Sequence, residues 1–222
     1  MRPIHIFFDN DGTIVDSEIL AVRNMLRHLA AMGIEMDERV YAQRFPGLLE
    51  RDIFAILERE HGLSIPDSFH LQLQQEHIAL FEQELKPIVG MDSLFREVRA
   101  GKSMVSNGSV AHVERCLGKV GLLHDFGGEI FSAKQVDRPK PYPDVYLHAL
   151  RSVGLEPLQA LVVEDSPTGI EAAKAAGLRV VGFLGASHIT EGHGEQLKAK
   201  GADFLASDAE ELRKILAAWE LV

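Results

Sequence analysis

The stretch Ile4-His5-Ile6-Phe7-Phe8-Asp9-Asn10-Asp11-Gly12-Thr13 governs how the rest of the chain is read. Its first half is β-branched and aromatic, the composition of a buried strand. It halts at a run of Asp, Asn and Gly, residues that break strands and favour turns. From about Ser17 to Leu85 the apolar residues instead recur at helical spacing, with Ile19, Val22, Leu26 and Leu29 on one stripe and Ile53, Phe54, Ile56 and Leu57 on the next. After Pro87 and Gly90 short apolar runs alternate with amphipathic segments: Met104-Val105, Ile130-Phe131, Leu161 to Val163 and Val180-Val181. That alternation is the rhythm of a parallel sheet with helical crossovers. Ser166-Pro167 reads as a helix N-cap followed by its first helical residue, Ser207 to Glu210 as a capping box, and the tail to Val222 as a closing helix.

The expected fold is therefore α/β: a Rossmann-like parallel-sheet core formed by residues 1–15 and 88–222, with an all-helical cap, residues 16–87, inserted after the first strand. Open parallel sheets bind ligands at the carboxyl ends of their strands, and an insertion after the first strand leaves from that edge. The cap is expected to act as a lid, with hinges near Val15 to Ser17 and Lys86 to Gly90.

Composition sets limits on function. A chain of 222 residues that is 46% hydrophobic and 25% charged buries a substantial core without staples. Its net charge of -10 argues against a phosphate-backbone binder, which needs a basic face, so no nucleic-acid partner is expected. No apolar stretch reads as a membrane span or a leader, and Cys116 has no second cysteine to pair with, so a reducing cytoplasm is the expected home. A monomer or a weak homodimer is expected.

Four polar clusters follow four of the predicted strands: Asp9 to Thr13, Ser106-Asn107-Gly108-Ser109, Arg138-Pro139-Lys140-Pro141, and Glu164-Asp165-Ser166. At the ends of parallel strands they converge on one crevice. Asp9, Asp11, Glu164 and Asp165 bring four carboxylates there against one evident cation, Lys140. Two like charges about 4 Å apart repel by roughly 4 kcal/mol at an effective dielectric near 20, so such a cluster holds protons or binds a metal. Donors that are all oxygen favour Mg²⁺ over zinc or copper.

These four clusters, in this order, resemble the four motifs of the haloacid dehalogenase superfamily, and the resemblance spans the chain outside the helical insertion. It implies that Asp9 attacks phosphorus to form an aspartyl phosphate, while Asp11 protonates the leaving alcohol and later activates water. It implies that Mg²⁺ is held by the Asp9 carboxylate, the Asp11 carbonyl and Asp165, with Glu164 bonded to the metal or its waters. Ser106 and Lys140 would hold phosphoryl oxygens, assisted by backbone N–H groups near Asn107 and Gly108. An acid two residues after the nucleophile sets this chain apart from the dehalogenases of the superfamily and points to phosphoryl transfer from an oxygen ester.

The expected activity is hydrolysis of a small phosphate monoester, a sugar or sugar-acid phosphate by resemblance. A phosphosugar mutase similar to β-phosphoglucomutase is the alternative. Those mutases usually place a basic residue just before a cap glycine and an arginine three after it, whereas Gly47 here is flanked by Pro46 and Glu50. Arg44 and Arg51, with Gly47, are the candidate substrate-specificity residues of the cap. A non-enzymatic phosphoacceptor module is a further alternative, although receiver modules carry no helical insertion of this size. The blander readings are that the acidic pairs end strands or cap helices and that Ser106-Asn107 caps the following helix. The ten histidines show no spacing that reads as a metal pair and receive no role, and Cys116 packs as a small hydrophobe.

Overall fold

The structure, a computed structural model, describes residues 3–45, 50–66 and 68–222. Strand β1 (His5–Phe8) is followed by four helices, α1 (Glu18–Ala31), α2 (Glu38–Arg44), α3 (Glu50–His61) and α4 (Ser68–Glu84). Then come α5 (Met91–Glu97), β2 (Gly101–Ser106), α6 (Val110–Lys119), α7 (Leu123–Phe126), β3 (Ile130–Ser132), α8 (Asp144–Val153) and β4 (Ala160–Glu164). The chain ends with α9 (Pro167–Ala175), β5 (Arg179–Phe183), α10 (His193–Ala199), β6 (Phe204–Ala206) and α11 (Ala209–Ala217). It divides into two compact units, Met1–Ser17 with Leu85–Val222, and Glu18–Glu84.

The larger unit is built on one six-stranded sheet of order β3-β2-β1-β4-β5-β6. Every neighbouring pair is parallel, so all strand ends that carry polar clusters lie on the same edge. The sheet is buried on both faces, which is why its central strands are runs of apolar residues rather than alternating ones. On one face Phe7, Val105 and Val162 pack with Val145, Tyr146 and Ile170 of the crossover helices. On the other, the Phe8 ring lies 5.4 Å from that of Phe95 on α5. Strand order reverses at β1, between β2 and β4, and that switch point is where a parallel sheet opens a crevice.

The smaller unit is all helical among its described residues. Its core joins Met25 and Leu29 of α1 to Ile53, Phe54 and Leu57 of α3 and Phe69 and Leu73 of α4. The buried stripe of α1 is rotated from the expected one: Asn24, Met25 and His28 are buried, whereas Val22 and Leu26 are half-buried. Within the larger unit, the two segments leading to and from the insertion run side by side. Ile88 N–H donates to the Ile14 carbonyl and Asp16 N–H to that of Lys86, each at 3.0 Å.

Three local expectations change. Strand β6 has no counterpart in the predicted set, since three residues at a sheet edge leave no periodic signal. The last helix is capped by Asp208 rather than Ser207. The Asp208 carboxylate accepts from Glu211 N–H at 2.8 Å, while the Glu211 carboxylate accepts at 2.8 Å from the N–H of Ser207, the residue before the cap, so the expected box at Ser207 to Glu210 does not form. Helix α6 is capped by Ser109, whose hydroxyl accepts from His112 N–H, which leaves Ser106 and Asn107 uncommitted to capping. Ser166 caps α9 ahead of Pro167, as the sequence indicated.

Candidate active site

Asp9 follows β1 directly, and its N–H continues the ladder to the Val163 carbonyl at 3.0 Å. The chain then turns sharply, with the Asn10 carbonyl accepting from Ile14 N–H and Val15 N–H. Gly12 makes this turn possible at a φ of +77°, a conformation that costs other residues strain. It also clears space, because a Cβ there would lie 2.0 Å from Asp165 Oδ2.

Lys140 reaches the same point from the loop after β3. Its Nζ donates to Asp9 Oδ1 at 2.6 Å, to Glu164 Oε2 at 2.7 Å and to the Val105 carbonyl at 2.8 Å, so all three ammonium protons are placed. Burial works against this ammonium, but the Asp9 and Glu164 carboxylates outweigh it and hold the lysine well above its usual pKa. Asn107 fixes the loop: its Oδ1 accepts from Lys140 N–H at 3.0 Å and its Nδ2 donates to the Lys140 carbonyl at 3.4 Å. The Asn107 side chain is thus turned onto the lysine loop. Ser106 Oγ accepts from Gly108 N–H at 2.9 Å.

Glu164 is held from four directions. Besides Lys140, its Oε2 accepts from the Tyr146 hydroxyl at 3.1 Å, and its Oε1 accepts from the hydroxyl and N–H of Ser166. Gly169 leaves room for it, since a Cβ there would come within 1.9 Å of Glu164 Cδ. The neighbouring Asp165 accepts from Thr13 Oγ1 at 3.2 Å, and His188 Nε2 lies 3.4 Å from its Oδ2. His193 Nε2 is bonded to the Asp165 carbonyl at 2.6 Å.

Asp9, Glu164 and Asp165 are all buried and present carboxylate oxygens within 4.8 Å of one another. Burial raises the Asp9 carboxyl well above its ordinary range, Glu164 adds to the rise, and Lys140 opposes it. Three carboxylates facing one ammonium leave a formal deficit of two positive charges. A divalent cation meets that deficit, and the hard oxygen donors suit an alkaline-earth ion. The donor set therefore fits a divalent metal.

The expected group of four carboxylates is split by the structure into two. The Asp11 carboxylate lies with His112 and Cys116 instead. It accepts from Ser17 Oγ at 2.7 Å and from His112 Nε2 at 3.0 and 3.1 Å. Burial would raise Asp11, but the His112 and Ser17 hydrogen bonds reverse the shift and hold it below the usual carboxylate range. The same hydrogen bond, donated to Asp11, with a smaller contribution from Cys116, pushes His112 up to about 10 against its burial. Cys116 is buried, and it is more than a packing residue: Asn10 Nδ2 donates to its Sγ at 3.2 Å, and His112 Nε2 lies 3.5 Å from it.

His112, His188 and Ser17 are thus site neighbours to which the sequence reading gave no part in the chemistry. His112 and Cys116, four residues apart on one helix, were the available signal. Of the three candidates in the insertion, Arg44 ends α2 and pairs with Glu60. Gly47 lies outside the described residues, as does the side chain of Arg51.

A family model for haloacid dehalogenase-like hydrolases matches residues 6–183. The 6-phosphogluconate phosphatase of Escherichia coli is 31% identical over 184 residues, covering 82% of this chain and 83% of its own. A conserved haloacid dehalogenase-like protein of Agrobacterium tumefaciens has a solved structure that superimposes with a TM-score of 0.88 at 34% identity, covering 97% of this chain and 98% of its own. A hydrolase of the same family from Deinococcus radiodurans, solved with bound phosphate and sodium, gives 0.89 at 29% identity, covering 100% and 98%.

Proposed function

The chain belongs to the haloacid dehalogenase-like hydrolases and is a phosphatase of that family, and from that premise we propose that it hydrolyses a small sugar or sugar-acid phosphate monoester with Asp9 as nucleophile and Mg²⁺ as cofactor. The observation that carries the reading is Lys140 Nζ, bonded at once to Asp9 and Glu164 at the switch point of the sheet. The E. coli relative's being a 6-phosphogluconate phosphatase and another E. coli relative's being a fructose-1-phosphate phosphatase support the substrate class.

In this reading one Asp9 oxygen attacks phosphorus in line with the ester oxygen, forming an acyl phosphate as the ester P–O bond breaks. Asp11, two residues on, passes the proton that it shares with His112 to the departing alkoxide, then takes a proton from the water that attacks the acyl phosphate and frees inorganic phosphate. Lys140 keeps Asp9 in place and stabilises the charge that builds on the transferring oxygens, a role shared with Ser106 and the N–H groups near Asn107 and Gly108. Glu164, bonded by Tyr146 and Ser166, holds Lys140 in register. Asp9 and Asp165 would hold Mg²⁺, with Glu164 beside them and the Asp11 carbonyl completing the protein ligands. When bound, the ion neutralises phosphoryl charge that one lysine cannot match. His112 and Ser17 keep the Asp11 carboxylate aimed. A lone, buried cysteine agrees with work in a reducing cytoplasm.

The test is phosphate release from a panel of sugar, sugar-acid and aryl phosphates, with Mg²⁺ and with chelator, for the native chain and Asp9→Asn. Release that needs both metal and Asp9 supports the reading. Undiminished release by Asp9→Asn overturns it, and turnover of β-glucose 1-phosphate to glucose 6-phosphate without release favours the mutase.

A further inference from the structure

Beside the all-oxygen site the larger unit carries a second donor set of different chemistry: one Asp11 oxygen, His112 Nε2 and Cys116 Sγ. We propose that these three side chains form an inhibitory binding site for a borderline-soft divalent ion, Zn²⁺, which captures Asp11 and takes it out of proton transfer.

Nitrogen, sulfur and carboxylate donors together are a zinc-type set, whereas Mg²⁺ avoids thiolate. The spacing fits as well. With Zn–S near 2.3 Å and Zn–N and Zn–O near 2.05 Å, tetrahedral geometry puts sulfur about 3.5 Å from nitrogen and nitrogen about 3.3 Å from oxygen. The structure has Cys116 Sγ 3.5 Å from His112 Nε2, and His112 Nε2 3.0 Å from Asp11 Oδ1. Both contacts are made by the same ring nitrogen, so the three donors already face a common point. An outer partner is present too: Asn10 Nδ2 donates to Cys116 Sγ, as a bond to a metal-bound thiolate would require.

Access and rigidity are both provided. His112 and Cys116 are one turn apart on α6, which fixes their separation, while the Asp11 and His112 side chains are 23% and 27% exposed, enough for an ion to enter. Three protein donors leave the fourth position to water. Binding expels two protons to solvent, the one shared by His112 and Asp11 and the one on the thiol, and leaves the charge of the Asp9, Glu164 and Asp165 group unchanged. Asp11 is inhibited only if it is the acid and base assigned above, so the inhibitory half of the inference rests on that reading. The metal site itself does not.

Co²⁺, a spectroscopic stand-in for zinc, tests the site on the full chain saturated with Mg²⁺. The expected result is a thiolate-to-cobalt charge-transfer band that grows to about one equivalent, is abolished in Cys116→Ser and is bleached by added Zn²⁺. Asp9→Asn keeps the band, so failure of the phosphatase reading leaves this result standing. In the activity arm, the Zn²⁺ concentration for half inhibition rises at least about tenfold in Cys116→Ser and in His112→Asn relative to the native chain. No charge-transfer band in the native chain overturns the site. Equal zinc sensitivity of native and Cys116→Ser protein overturns its inhibitory role.

Discussion

His112 Nε2 bonds to both carboxylate oxygens of Asp11, at 3.0 and 3.1 Å, across 101 positions of sequence. A carboxylate that must give and then take a proton gains from being held in one orientation. His112→Ala is therefore expected to lower kcat/KM about tenfold for alkyl phosphates, whose leaving alkoxide needs protonation, and by less than about threefold for 4-nitrophenyl phosphate, whose leaving group does not. Equal losses on the two esters would assign His112 a general structural role instead.

Gly12 and Asp165 approach so closely that no side chain fits between them. Gly12→Ala places a residue at positive φ and pushes the Asp165 carboxylate aside, which is expected to lower stability by about 1–3 kcal/mol. The Mg²⁺ concentration for half-maximal activity rises at least about tenfold. Denaturant unfolding and a metal titration check the two effects separately.

Removing the ammonium between Asp9 and Glu164 leaves two buried carboxylates facing each other. In chelator, Lys140→Met is expected to lose about 3–5 kcal/mol of stability, because an uncompensated buried charge remains. Adding Glu164→Gln restores part of that loss without restoring activity, which stays down by about 10²–10³-fold or more. Denaturant midpoints of the three proteins settle the order.

His5 gives a pH signature away from the site. It packs against Gly101, is bonded to Ser103 Oγ at 2.9 Å, and burial lowers its pKa from 6.5 to about 4. Between those values the unfolded chain binds a proton that the folded chain refuses, so this residue's contribution to stability is full above pH 6.5 and is lost as pH falls toward 4. His5→Gln is expected to flatten the fall of the thermal midpoint across that window. A parallel pair of curves would contradict it.

The parts of the molecule that could be read from sequence are those whose signals are local. Phe7 and Phe8 before Asp9, and Val162 and Val163 before Glu164, announce buried parallel strands with polar ends, and those ends meet on one sheet edge. Ser166-Pro167 announces a helix start. Strand β6 gave no such signal because three edge residues owe their conformation to pairing with β5. His112 gave none for a different reason. On α6 alone it is a half-exposed residue of the polar face, and it joins the site only when β1 and β2 pair and bring Asp11 beside the first turn of the helix. The split of the carboxylates into two groups likewise depends on the end of β1, where Asp9 still continues the strand ladder while Asp11 lies past Asn10, in the turn that the Asn10 carbonyl closes.

Covalent capture of phosphate on Asp9 is the claim on which the rest depends, and peptide mass spectrometry after acid quench tests it most directly. Asp11→Asn mixed with 4-nitrophenyl phosphate and Mg²⁺ accepts the phosphoryl group readily, since this leaving group needs no acid, but releases it slowly for want of a base. The account predicts a phosphoryl adduct on the peptide bearing Asp9, accumulating in Asp11→Asn and absent from Asp9→Asn. Steady phosphate release by the native chain, with no adduct on that peptide in either the native chain or Asp11→Asn, would contradict it.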